Sequence, residues 1–229
     1  MSTLVNVARY HLVDRIPYLL LPWGATAFAF LVNLVVFAAV ATPSDGAYSG
    51  GLITLYVILF VLGVLSVARS LPFGFALGLS RRSYYLGTVL LVGGLGAVYG
   101  LAVAVLQVVE RVTGGWGLTM HFFRVPWILD GPWYLTWLTS FVVLALLFVY
   151  GMWYGLAYRR WGIIGLAVFI ATQVIVLVAV ALVLTWAGAW PEVGRFFATL
   201  SAAGLTGVLA AIVALLAFGG FTTMRRVTV

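Results

Sequence analysis

Residues 134–157 read YLTWLTSFVVLALLFVYGMWYGLA, and residues 162–186 read GIIGLAVFIATQVIVLVAVALVLTW. Neither stretch contains a charged residue, and each is as long as the roughly 20 residues that a helix needs to cross a bilayer. Backbone polar groups inside lipid must pair with one another, which leaves helices or closed barrels as crossing structures. Barrel strands are about 10 residues long and alternate in polarity. The two stretches therefore predict transmembrane helices.

The rest of the chain has the same character. Of its 229 residues, 65% are hydrophobic and only 7% are charged, whereas soluble domains carry about 25% charged residues. Similar apolar runs cover residues 20–41, 51–68, 85–109 and 200–221. We therefore predict an all-α polytopic membrane protein, with six transmembrane helices in a single domain that covers residues 1–229.

The arginines predict the orientation of these helices. On the side that holds both termini, nine arginines lie at the ends of the apolar runs: Arg9, Arg15, Arg69, Arg81, Arg82, Arg159, Arg160, Arg225 and Arg226. The other side holds three: Arg111, Arg124 and Arg195. Because cytoplasmic loops carry the excess of basic residues, both termini are predicted in the cytoplasm. Residues 4–17 mix apolar and charged side chains, which favours an amphipathic helix at the cytoplasmic interface over a solvated leader.

Several kinds of chemistry are disfavoured by the residues themselves. The chain has no Lys, which the phosphate-binding G-x-x-x-x-G-K-[ST] loop requires. It has no Cys, which removes disulfides and thiolate metal sites. Its two histidines, His11 and His121, are predicted on opposite sides of the membrane. We expect no catalytic residues, no metal site and no cofactor, and the net charge of +7 lacks the polar basic face of a nucleic-acid binder.

Gly151 and Gly155 form a G-x-x-x-G pair in the run at residues 134–157, which predicts close packing of helices within the bundle or between subunits.

Polar residues inside the runs are few. Asn33, Gln107 and Gln173 are candidates for lining a substrate pathway, and hydrogen bonding between helices is an equally good interpretation. Glu110 follows the third run beside Arg111, which favours an ion pair at the membrane edge over a coupling acid. The aromatic-rich segment 110–133 favours a belt at the bilayer interface over a ligand site.

The most specific stretch, residues 68–87, reads ARSLPFGFALGLSRRSYYLG and connects the second and third runs. Pro72 suits the first turn of a helix, so a short apolar helix is predicted at Phe73–Leu79. Gly78 is expected to end that helix and Ser80 to begin the next one. An exposed apolar helix needs a cover, which is either a partner protein or the lipid interface.

This stretch, with a P-F-x-x-x-L-G-x-S-R-R pattern followed by Tyr85 and Gly87, resembles the membrane subunits of ABC-2 type transporters. The resemblance implies a permease subunit of an exporter in a bacterial plasma (inner) membrane, with residues 4–17 as an elbow helix. It implies a second permease subunit, alike or related, and a separate ATP-binding cassette subunit that holds ATP and Mg²⁺. The residues implied to couple to that subunit are Pro72, Phe73, Phe75, Leu77, Gly78, Leu79, Ser80, Arg81 and Arg82.

Two other functions remain open at the level of the sequence. A non-transporting membrane scaffold or immunity protein would use the same stretch to bind a cytoplasmic partner. A membrane-embedded enzyme acting on lipid would need ionisable groups clustered at one depth, and the sequence predicts no such cluster.

Overall fold

In a computed structural model, the chain is described over residues 16–40, 46–76, 78–126, 128–129 and 131–224. A π-helical turn at Ile16–Leu20 leads into a series of helices: α1 (Leu21–Ala39), α2 (Ile53–Ala68), α3 (Ser70–Ala76), α4 (Arg81–Val112), α5 (Trp133–Trp186), α6 (Trp190–Thr199) and α7 (Ala202–Met224). Two short strands, β1 (Ala47–Tyr48) and β2 (Met120–His121), pair in parallel. The predicted helix at residues 4–17 lies almost entirely outside the described residues.

Among the described residues, five helical segments are long and apolar enough to cross a membrane: Ile16–Ala39, Ile53–Ala76, Arg81–Val112, Trp133–Trp186 and Ala202–Met224. Their outward faces carry large apolar side chains, such as Phe28, Ile164 and Phe218, that remain strongly exposed. Apolar surface of this extent is unfavourable in water and suits hydrocarbon. The mostly helical fold is that of a membrane-embedded protein, as the sequence predicted.

The longest helix, α5, is broken at one residue. Its 54 residues would span about 80 Å as a straight helix, far beyond the roughly 30 Å of a hydrocarbon core. At Gly162 the backbone leaves the helical region, with φ of +67° and ψ of −162°. Glycine adopts a positive φ without steric cost. The break falls at the edge of the predicted fifth run, directly after Arg159, Arg160 and Trp161.

The backbones of α2 and α5 touch at three glycines. A Cβ atom on Gly63 would lie 2.1 Å from the carbonyl oxygen of Phe148, and one on Gly151 would lie 2.1 Å from that of Phe60. At Gly155 the distance to the carbonyl oxygen of Val64 would be 2.7 Å. We call this contact the glycine interface. The prediction that the Gly151–Gly155 pair packs helices closely is confirmed, and the packing is within the chain.

The helix α5 also packs against α4 and α7. On α4, Gly100 lies so close to α5 that a Cβ atom would be 2.9 Å from the carbonyl oxygen of Trp137. On α7, the buried hydroxyl of Thr206 lies 2.7 Å from that of Thr139. The helix therefore packs against α2, α4 and α7.

Replacing Gly151 by Ala should destabilise the protein, because the added methyl group has no space between α2 and α5. Overpacking of a close contact costs about 1–3 kcal/mol. The midpoint of thermal unfolding in detergent, followed by size-exclusion chromatography, measures the loss. Gly207→Ala is the matched control, since nothing lies within 4 Å of a Cβ atom there. Equal midpoints for the two variants would contradict the glycine interface.

Candidate functional site

The segment of residues 70–82, which we call the α3–α4 turn, is firmly attached to the helices on either side. Leu71 is fully buried, and a Cβ atom on Gly74 would lie 2.8 Å from the ring of Tyr84. The Tyr84 hydroxyl donates a hydrogen bond to the carbonyl oxygen of Ser66 in α2. The turn is thus tied to both α2 and α4.

The chain reverses within this turn through two standard caps. At the end of α3, the Gly78 amide donates to the Phe75 carbonyl at 2.9 Å and the Leu79 amide to the Gly74 carbonyl at 3.0 Å. With Gly78 at φ of +78°, this is a Schellman motif. Ser80 then caps α4 by accepting a hydrogen bond from the Ser83 amide at 3.1 Å, as N-cap residues do.

The predicted residues that end the short helix and begin the next are confirmed, but the short helix covers different residues from those predicted. Gly78 ends the short helix and Ser80 precedes the next, as the sequence indicated. The short helix, however, covers Ser70–Ala76 rather than Phe73–Leu79. It begins earlier because Pro72 is compatible with any position of a first turn, and the Schellman motif stops it before Leu79.

The outward surface of the turn combines an aromatic side chain with positive charge. Phe73 is 66% exposed, and Arg81 and Arg82 are also exposed. The Arg81 guanidinium lies 5.9 Å from the centre of the half-buried Phe75 ring. Of the remaining predicted coupling residues, Pro72 and Leu79 are half-buried, Gly78 and Ser80 are exposed, and Leu77 lies outside the described residues. Such a surface can accept a partner with an apolar pocket and acidic groups.

The three polar residues predicted as pathway candidates each make hydrogen bonds within the chain. Asn33 donates to the Ala29 carbonyl at 2.8 Å and accepts from the Ser49 hydroxyl at 2.7 Å. Gln107 is buried and donates to the Leu129 carbonyl. Gln173 accepts from the hydroxyl groups of Tyr150 and Tyr154. Gln173 thus bonds between the two halves of α5, in line with the alternative of hydrogen bonding between helices. Asn33 and Gln107 instead reach Ser49 and Leu129, which lie outside the helices.

At the other end of α4, one buried carboxylate organises the chain. Glu110 is only 1% exposed. Its Oε2 accepts from the indole nitrogen of Trp116 at 3.2 Å and from the amides of Phe122 and Phe123 at 2.9 and 2.8 Å. Its Oε1 accepts from the Arg124 amide at 3.2 Å and lies 3.5 Å from Nδ1 of His121. We call residues 110–124 the Glu110 cap.

The aromatic residues of the Glu110 cap pack inwards. Phe122 and Phe123 are buried, and the Phe30 ring of α1 lies 4.9 Å from Trp116 and 5.3 Å from Phe122 between ring centres. The interfacial belt predicted for segment 110–133 therefore does not describe these rings, although Trp133 is exposed. The aromatic side chains of the Glu110 cap instead pack against Phe30 of α1.

Sequence reasoning did not find the role of Glu110. Arg111, its predicted ion-pair partner, donates a hydrogen bond to the Gly131 carbonyl at 2.9 Å. The backbone turns back on itself through Gly114, Gly115, Trp116 and Gly117, which all have positive φ. A glycine-rich reversal directly after an acid at a helix end is the signal that could have indicated a carboxylate bound by the returning amides.

No family model matches the chain, and no curated protein or solved structure matches it either. Within the described ranges, no group of three or more His, Cys, Asp or Glu residues is placed to hold a metal ion.

Replacing Glu110 by Gln should loosen the Glu110 cap, because an amide NH₂ group would face backbone N–H donors. Leaving buried donors unpaired costs about 1–3 kcal/mol. We expect a lower unfolding midpoint and faster proteolysis between α4 and α5, measured on the purified protein. Glu192→Gln is the control, because the Glu192 side chain is 76% exposed and its surface pair with Arg195 contributes little. If both variants behaved like the unchanged protein, the cap would not depend on Glu110.

Proposed function

We propose that the chain is the membrane-spanning permease subunit of an ABC-2 type exporter, driven by separate ATP-binding subunits that hold ATP and Mg²⁺. The observation that carries this proposal is the α3–α4 turn. The turn presents the exposed Phe73 together with the exposed Arg81 and Arg82. It is itself attached to the two long helices α2 and α4. A surface of this kind suits docking to a cytoplasmic partner.

The attachments of the turn suit the transmission of movement. A push on α3 reaches α2 through the single residue that connects them, and through Tyr84, which packs on Gly74 and donates a hydrogen bond to the Ser66 carbonyl oxygen. It reaches α4 through Gly74, which lies against the Tyr84 ring. A partner that binds the turn and changes shape would therefore shift the ends of α2 and α4 together, as coupling to ATP hydrolysis requires.

The proposal includes six membrane crossings, with α5 crossing twice around Gly162. Arg69, at the end of α2, and Arg159, just before the break in α5, line one shared cavity, which supports placing the break at the same end of the bundle as the α3–α4 turn. Positive charge at that end favours the cytoplasm. Both termini would then be cytoplasmic, in a bacterial plasma membrane.

Transport would require a second permease subunit, alike or related, with the pathway between the two. The second half of α5 supports this arrangement because most of its apolar side chains are exposed. Gln173 is a polar exception on that half, and its Nε2 atom is buried without a hydrogen-bond partner among the described residues. A hydrophobic or amphipathic cargo suits the exposed apolar side chains of this half of α5. Those that face neither the pathway nor the second subunit would contact lipid.

Reversing the two charges of the turn, with Arg81→Glu and Arg82→Glu together, should release an ATPase that co-purifies from native membranes. Negative side chains in the first turn of a helix interact favourably with its dipole, so α4 itself should stay folded. Bound subunits are identified by mass spectrometry, and ATP hydrolysis is measured on the purified complex. We expect the bound ATPase to fall by at least tenfold.

Arg160→Glu serves as the control, because it introduces a charge reversal at the same end of the bundle outside the turn. It should retain the ATPase. A double variant that still held and stimulated the ATPase would contradict docking at the turn. A partner protein without ATPase activity, released by the same double variant, would favour the scaffold or immunity function instead.

A further inference from the structure

A cavity opens where the glycine interface ends. The last close contact between α2 and α5 is at Gly155, and the α5 backbone breaks at Gly162. Between these positions and the end of α2 lies a cavity of about 400 Å³. It is lined by Val64, Leu65, Ala68, Arg69, Tyr158, Arg159, Ile163 and Leu166.

The lining divides into two chemical parts. Arg69, Arg159 and Tyr158 supply two positive charges and a phenol, whereas the other lining residues are apolar. Among the described residues, none that lines the cavity is acidic. Within the described ranges neither arginine has a carboxylate partner. Two like charges that share one apolar-walled space repel each other, so a bound anion would stabilise the arrangement.

We propose that this cavity binds an anionic phospholipid. The guanidinium groups of Arg69 and Arg159 would contact the head-group phosphate, since the planar guanidinium matches phosphate oxygens in a bidentate manner. Basic pockets between transmembrane helices at the cytoplasmic side are known to hold acidic head groups. The acyl chains would lie along the apolar side chains of Val64, Ile163 and Leu166.

The apolar part of the lining decides between a lipid and a soluble anion. A free phosphate ion would make no favourable contact with the apolar side chains of the lining and would leave them exposed to water. These side chains are Val64, Leu65, Ile163 and Leu166. A phospholipid uses both halves of the cavity. The site does not depend on transport, and it would remain if the chain had the scaffold function.

Native mass spectrometry of the full-length protein in detergent tests the proposal. Dioleoyl phosphatidylglycerol and dioleoyl phosphatidylcholine are titrated separately, and the dissociation constant of the first bound lipid is measured. We expect tighter binding of phosphatidylglycerol. Arg69→Gln and Arg159→Gln should each weaken it roughly fivefold, as expected for one arginine near an acidic lipid, and the double variant should weaken it further.

Arg160→Gln is the matched control. It removes the same charge next to Arg159, but its guanidinium lies 4.8 Å from the Trp161 ring centre and does not line the cavity. Phosphatidylglycerol binding should change less than twofold. An equal loss in the control would show a general charge effect and overturn the site. Equal affinity of the unchanged protein for both lipids would overturn it without any variant, and displacement of the lipid by equimolar inorganic phosphate would show a soluble-anion site.

Discussion

The close approach of α2 and α5 at Gly63, Gly151 and Gly155 is the contact on which the rest of the structure depends. Lipid tails are as apolar as the helices, so packing rather than the hydrophobic effect holds helices together in a bilayer. Backbones that nearly touch cannot slide past each other. Because α3 follows α2 after a single residue, the glycine interface also fixes the α3–α4 turn relative to α5, and the proposed lipid cavity begins where the interface ends.

The two ends of α4 are built by different means. At its start, local caps reverse the chain within a few residues, and Phe73 and Arg82 are left exposed. At its end, the Glu110 carboxylate accepts hydrogen bonds from N–H groups that lie 6 to 14 residues further along the chain. The first end leaves an aromatic and basic surface exposed, whereas the second packs over α1. This difference supports placing partner binding at the α3–α4 turn.

The sequence predicted the features that depend on neighbouring residues. Runs without charge predicted the long helices, Gly78 and Ser80 predicted the caps of the turn, and the Gly151–Gly155 spacing predicted close packing. It did not predict the Glu110 cap, because the partners of Glu110 are brought to it by a glycine-rich reversal whose path no local pattern specifies. The pairing of β1 with β2 is missed for the same reason, since more than 70 residues separate these strands. The start of α3 was wrong by three residues because Pro72 permits several positions.

We infer that α5 crosses the membrane twice, so that the α3–α4 turn and the break at Gly162 lie on the same side. The chain has no Cys, so single introduced cysteines report their own accessibility in right-side-out membrane vesicles. We expect a membrane-impermeant maleimide to label Val112→Cys and Arg195→Cys directly, and to label Arg160→Cys only after the vesicles are opened. Labelling of Arg160→Cys and Arg195→Cys from the same side would contradict it.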